Sequence, residues 1–437
     1  MKKNKPNNNK VRTVNLAGPF LPLFLTYLIY ISSGLAYEKA KDQKNYSSIA
    51  NRISEEIQKG NIVGAAHLVV QDGEAIFEYY GGASDAEDNS PIKNDTIVRI
   101  YSMSKPITSV AAMKLYEEGK FKLEDPISKY IPAFKNSTVM VETDGVWKRV
   151  KPKRQINVRD VFTHSTGYGY GAFSPIPGLE ASYKKYGMKY RGPAGMFPPD
   201  MTIEEAANAL AKIPAKHHPG EKFTYGFSTD LLGRLIEVWS GKSLDVYLRE
   251  SLFNPLGMTD TGFKVPASKM NRFASCHTYK NGKQSIIDKS AKSPYLKGFK
   301  FLSGGGGLVS TMEDYSKFCS MLANSGRFQN QQILSKKTME LIFQNHLTED
   351  KNQKSGGFKF GLGFAIGNET FGNGDLSVSA KRYSWGGYAS TDFHVVPSRN
   401  FYQIFIRQTI PTRSGLAREL FKDVYQMTPA SDIKGPR

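Results

Sequence analysis

The chain has 437 residues, of which 40% are hydrophobic and 23% charged, a balance that supports a large buried core and excludes wholesale disorder and fibrous repeats. Its two cysteines, Cys276 and Cys319, cannot form a disulfide scaffold or a cysteine-rich zinc site, and two buried free thiols are expected. The formal charge of +19 suits an anionic cell envelope, but no zinc-finger, basic-region or RNA-recognition pattern accompanies it, so no nucleic-acid partner is expected.

The first 36 residues read as an address. Lys2, Lys3, Lys5, Lys10 and Arg12 precede an uncharged apolar run from Val14 to Tyr37 that ends Ser33-Gly34-Leu35-Ala36. Small residues at −3 and −1 predict cleavage after Ala36 and an exported, periplasmic or secreted protein; the alternative is an uncleaved membrane anchor. Residues 37–430 are then expected to form one domain, followed by a tail over 431–437. Isoleucines 49, 53 and 57 predict a helix over Tyr46–Lys59, stopped by Gly60. Two β-rich runs, Gly64–Gln71 and Glu74–Tyr80, flank Asp72-Gly73, a pair that tolerates the positive φ of a two-residue hairpin turn. The middle of the chain reads as helical and loop-rich, most clearly over about 120–345, with Gly/Pro breaks at 191–200 and 303–307. A second hairpin is expected from Phe393–Val396 and Phe401–Gln408, then a closing helix from Ser414 through Tyr425. The pattern predicts an α+β fold: an antiparallel sheet built from both chain ends, flanked by helices, with a mostly helical insertion.

Chemistry-bearing motifs are few. There is no G-x-S-x-G, H-E-x-x-H or phosphate-binding lysine loop, and the seven histidines show no metal-ligand spacing, so neither metal nor cofactor is expected. His164 reads as structural, and Gly304–Gly307 as a flexible or close-packed loop. The spacing S-x-x-K occurs from Ser90, Ser102, Ser182 and Ser431. Only Ser102-Met103-Ser104-Lys105 opens a convincing helix, which continues through Ile107, Val110, Ala111 and Leu115 to a stop at Gly119. A lysine one turn along lies on the serine's face, where its amine, taken out of water, can accept the hydroxyl proton. The competing reading is an ordinary helix-capping serine beside a solvated lysine.

Ile100–Leu115, with Gly119–Pro126 after it, resembles the serine β-lactamase and penicillin-binding-protein superfamily. The likeness continues through Arg159–Gly167, Pro219–Tyr225, Leu231-Leu232-Gly233, Asn254–Met258, Ser303–Ser310 and Trp385-Gly386-Gly387, roughly residues 45 to 410. It is strongest to the class C β-lactamase-like carboxylesterases called family VIII. The resemblance implies a β-lactamase/transpeptidase-like fold with Ser102 as acylated nucleophile, Lys105 as proton acceptor and Tyr225 as the tyrosine that protonates the leaving group. It implies an oxyanion hole from the backbone N–H groups of Ser102 and Tyr388, and a cleft lined by Phe227, Trp385, Gly386 and Gly387. Two positions depart from the lactamase pattern: Phe227 replaces an asparagine, and Trp385 replaces the lysine of K-T-G. Both point to a small-molecule substrate that is a neutral, apolar ester. The alternatives are a β-lactamase or D-Ala peptidase acting on peptidoglycan-like amides, an acyltransferase, and a non-catalytic envelope scaffold.

Overall fold

The computed structural model describes residues 46–171, 176–188, 200–280, 283–347, 357–374, 377–410 and 415–430. The expected leader, most of the 191–200 break, Ser414 and the 431–437 tail lie outside the described residues. Helix α1, Ser47–Gln58, buries Ile49 and Ile53 as its periodicity requires. Strands β1 (Gly64–Gln71) and β2 (Glu74–Gly82) pair antiparallel with Gln71 opposite Glu74. Asp72 and Gly73 make the turn at φ 52° and 83°, the left-handed pair that matches strand twist.

Five strands from the other end of the chain complete the sheet. They are β3 (Lys359–Phe360), β4 (Ala365–Phe371), β5 (Val378–Gly387), β6 (Thr391–Val396) and β7 (Phe401–Ile406). The order is β3-β4-β5-β6-β7-β1-β2, antiparallel throughout. The two chain ends therefore meet inside the sheet, with Ala66 opposite Ile406 and Val70 opposite Tyr402. All eight residues of β1 are buried, because a strand with neighbours on both sides and helices on both faces has no solvent side.

Helices cover both faces. The front face, including Leu68, Val70, Phe393, Val395 and Ile404, joins the main core with the central helix α2 (Ser104–Glu117) and with α3 (Ser228–Ser240). The back face, including Val69, Phe77, Phe401 and Phe405, packs on α1 and on α4 (Leu416–Met427) through Ile49, Ile53, Leu420, Phe421 and Val424. Full burial of each such side chain stabilises by about 1.5–3 kcal/mol. Cys276 and Cys319 are free and buried.

Two expectations need amendment. The middle region is less purely helical than its composition suggests: it carries two-stranded ribbons at Val139–Thr143 with Val146–Val150, and at Cys276–Lys280 with Lys283–Asp288. In addition, β7 ends at Ile406, short of the expected Gln408. The Gln408 side chain instead bonds the Arg99 backbone, Oε1 accepting from N at 3.0 Å and Nε2 donating to O at 3.0 Å.

Candidate active site

Ser102 lies in a tight 3₁₀ turn, Tyr101–Met103, just ahead of α2. It was expected to open the α-helix itself, but α2 begins at Ser104 and has no side-chain cap. The hydroxyl is thus free of capping duty. Tyr101, immediately before it, is buried with φ at 41°, a conformation costly for a bulky residue and kept only where its surroundings enforce it.

What Ser102 touches is an amine and a phenol. Lys105 Nζ donates to Ser102 Oγ at 3.1 Å, and Tyr225 OH donates to the same oxygen at 2.7 Å. Nζ is also in contact with Tyr170 OH at 3.2 Å and the Gly305 carbonyl at 2.5 Å. It also sits 4.6 Å from the centre of the Tyr225 ring. None of these acceptors is a carboxylate: two are hydroxyl oxygens, Ser102 Oγ and Tyr170 OH, that can exchange protons with the buried amine, and the third is the Gly305 carbonyl, which only holds it. The capping-serine reading fails on this geometry.

Behind the lysine, Gly305 N donates to Asp230 Oδ1 at 3.0 Å, and Ser303 Oγ donates to the same oxygen at 2.5 Å. Burial raises the Asp230 carboxyl above the usual range, opposed by the Ser303 bond and by the charge of Lys105. The Gly304–Gly307 loop is close-packed, as one reading had it, but it also belongs to the site. Gly304 O accepts from Thr108 of α2 at 2.8 Å while Gly305 O holds Lys105.

Trp385 is half-buried near the end of β5, and its Nε1 donates to Tyr225 OH at 3.4 Å. A Cβ on Gly387 would come within 2.1 Å of Thr391 Oγ1 and 2.4 Å of the Ile100 carbonyl; only glycine lets β5 abut the turn that carries Ser102. Gly386 meets no such obstacle, its nearest neighbour being 3.4 Å away. Tyr388 follows, 39% exposed, with its ring against Tyr101 at 6.1 Å.

The placement of Phe227 corrects the expectation that it lines the cleft. It is buried in the main core, with its ring 5.0 Å from Tyr170 and 6.1 Å from Tyr183. The residue that reaches the lysine from that side is Tyr170, absent from the sequence-based site. Burial, then the neighbouring Tyr225 and Asp230, pushes its phenol well above the ordinary value. His164 does not touch Ser102. Its ring packs 5.0 Å from Tyr225 and its Nε2 lies 3.4 Å from Thr229 Oγ1. Burial and the charge of Lys105 hold it well below its usual pKa, so it stays neutral. Among the described residues no group of His, Cys, Asp or Glu is arranged to hold a metal ion, and no helix is long and apolar enough to cross a membrane.

Both the sequence and the fold have relatives among known proteins. Residues 49–411 match the beta-lactamase family model. Protein Rv1367c of Mycobacterium tuberculosis is 30% identical over 377 residues, which covers 83% of this chain and 90% of the relative. Esterase EstB of Burkholderia gladioli is 27% identical over 218 residues, half of this chain and 51% of its own. Among solved structures, EstCE1, a hydrolase with promiscuous acyltransferase activity, superposes with a TM-score of 0.71 at 23% identity, covering 88% of this chain and 99% of its own. The chain belongs to the β-lactamase family, within the serine β-lactamase and penicillin-binding-protein superfamily. It is a serine hydrolase with the β-lactamase/transpeptidase-like fold.

Proposed function

We propose that this protein hydrolyses carboxylic esters through a covalent acyl-enzyme on Ser102. The observation that carries the reading is the pair of contacts on one oxygen, Lys105 Nζ at 3.1 Å and Tyr225 OH at 2.7 Å. Ser102 Oγ attacks the ester carbonyl as its proton passes to Lys105, and the oxyanion is held by the backbone N–H groups of Ser102 and Tyr388. Tyr225 then gives its proton to the departing alkoxide and recovers one from Lys105. Water attacks the acyl carbonyl in the second half, its proton following the reverse path, and releases the acid and free Ser102.

Ester rather than lactam chemistry rests on Trp385. A tryptophan at the position of the K-T-G lysine cannot neutralise a drug carboxylate, and losing one charge-assisted contact costs roughly 1.5–3 kcal/mol, or about 10- to 10²-fold. Phe227 adds nothing to this argument, because it is buried. We further propose that the leader is removed after Ala36 and that the basic protein is exported to the vicinity of an anionic envelope. The basic start and small-residue exit support this, and a mature N-terminus at Tyr37 in native material is the expected finding; an intact Met1 would leave the anchor reading.

The deciding experiment pairs fluorophosphonate labelling, expected at Ser102, with a comparison of p-nitrophenyl butyrate and nitrocefin on one preparation. The ester should have the higher kcat/KM by about tenfold or more. A tenfold preference for nitrocefin would replace this reading with a β-lactamase.

A further inference from the structure

A run of aromatic rings leads from the catalytic phenol to the surface. Trp385 lies 5.4 Å from Tyr225, and Phe360 lies 5.3 Å beyond Trp385. Phe223 is 5.3 Å from Phe360, and Phe358 closes the set at 5.1 Å from Phe223 and 6.0 Å from Phe360. Trp385 and Phe223 are half-buried, and Phe360, in contact with both, lies beneath them. Phe360 is 1% exposed and Phe358 39%, one of only six large hydrophobic side chains so exposed among the described residues. Single exposed apolar residues are ordinary; a continuous run of rings from the surface to the phenol beside Ser102 is not.

This shelf of rings is also fixed in place. Phe358 immediately precedes β3 and Phe360 ends it, and their rings lie 6.0 Å apart. The β3 backbone is tied down by Asn345 Oδ1, which accepts from Phe360 N at 3.1 Å, and by the Phe360 carbonyl, which accepts from His346 N at 2.9 Å. Neutral His164 packs against the rings from the buried side, 5.6 Å from Phe223 and 5.9 Å from Phe360.

We infer that Phe223, Phe358 and Trp385, backed by the buried Phe360, bind the alcohol portion of the ester and select a flat aromatic one. The inference rests on the acyl-enzyme reading above, for Tyr225 protonates the leaving oxygen and the alcohol must therefore lie against it. Among the described residues, the rings that lead from Tyr225 to an exposed side chain through Trp385 are those of this shelf. On the other side stand Tyr170 and the buried Phe227. An aromatic alcohol gains edge-to-face contacts there that an alkyl alcohol cannot make.

The test holds the acyl group constant and varies the alcohol between two of similar acidity, as naphthylmethyl acetate and ethyl acetate. In the full chain, Phe358→Ser is expected to lower kcat/KM for the naphthylmethyl ester about tenfold, mostly through KM, and to leave ethyl acetate within about twofold. Phe358→Leu, apolar but ringless, should fall between. An equal loss on both esters, or none on either, overturns the shelf while leaving esterase activity intact. If the unaltered protein cleaves neither ester, the acyl-enzyme reading fails separately. Equilibrium dialysis of naphthylmethanol then reads the shelf alone: binding about tenfold weaker in Phe358→Ser supports it, and unchanged binding overturns it.

Discussion

The two faces of the sheet bury polar groups in different ways. On the front, Ser102, Lys105, Tyr225 and Tyr170 share hydrogen bonds among groups that both donate and accept, so protons can move without breaking the arrangement. On the back, directly behind the same strands, His394 Nε2 accepts from Arg382 Nη1 at 2.9 Å while its Nδ1 faces Tyr425 OH at 2.9 Å. His67 Nε2 lies 3.3 Å from Gln403 Oε1. Alternation along β5 and β6 makes the division: Trp385 and Phe393 face forward, Ser384 and His394 backward. The back cluster is sealed by α4, and its imidazoles are held neutral, His394 by burial and the Arg382 charge. Burial alone therefore does not make a reactive site. The front differs because its hydroxyls both donate and accept beside an amine and because a run of rings leads from Tyr225 through Trp385 to the exposed Phe358.

The largest expected effects break the front face. Ser102→Ala should abolish acyl-enzyme formation, measured by mass spectrometry after exposure to p-nitrophenyl ester. Lys105→Ala and Tyr225→Phe should each lower kcat by about 10²-fold or more, and the double variant should lose little beyond the worse single one, since the two act as one relay. Fully additive losses would mean that the two act independently. Gly387→Ala attacks the same site through the backbone. The added methyl meets the Ile100 carbonyl and Thr391 Oγ1, so the Ser102 turn must move. Activity should drop by at least about tenfold, with a stability loss of about 1–3 kcal/mol by denaturant titration. Full activity would show that the strand end can slide.

The front face was legible wherever a motif carried it. Ser102 and Lys105 are three residues apart on one helical turn, and Tyr225 and Trp385 sit in recognisable blocks. Tyr170 was not, because its contact with Lys105 spans 65 residues and nothing local marks one tyrosine among its neighbours. Phe227 was misplaced for a related reason: a motif position fixes order along the chain, not which way a ring turns. The terminal hairpins were legible from apolar alternation and Asp72-Gly73. Strand β4 and the first half of β5 were not, since their polar stretches, such as Asn368-Glu369 and Lys381-Arg382, have weak strand propensity and are held by pairing. Asp144-Gly145, at φ 52° and 76°, carried the same turn signal as Asp72-Gly73 and lay inside a region read as helical.

The back face should show itself in acid. Burial lowers the His67 pKa from 6.5 to about 4. Between those values the unfolded chain binds the proton that the folded one refuses, so stability is full above pH 6.5 and falls as pH drops toward about 4. The loss approaches about 3 kcal/mol at the acid end. His67→Gln, which keeps a polar group facing Gln403 but does not titrate, should flatten that part of the melting-temperature profile. Parallel profiles for the two proteins would place the acid sensitivity elsewhere, first at His394 or His164.

The smallest effect separates charge from packing at the same face. Arg52 of α1 reaches across to α4, pairing with Glu419 at 2.6 Å and with Asp423. These groups are partly exposed, and pairs of this kind contribute roughly 0.2–1 kcal/mol, less as salt rises. The helices are held chiefly by Ile49, Ile53, Leu420 and Phe421, whose rings and branches fill the space over β1 and β7. Arg52→Ala should therefore lower stability by about 1 kcal/mol or less at low salt and by almost nothing at about 1 M salt, by denaturant titration at both. A loss of several kcal/mol that salt does not relieve would mean that the Arg52 side chain packs as part of the core and that its stem, not its charge, joins the two helices.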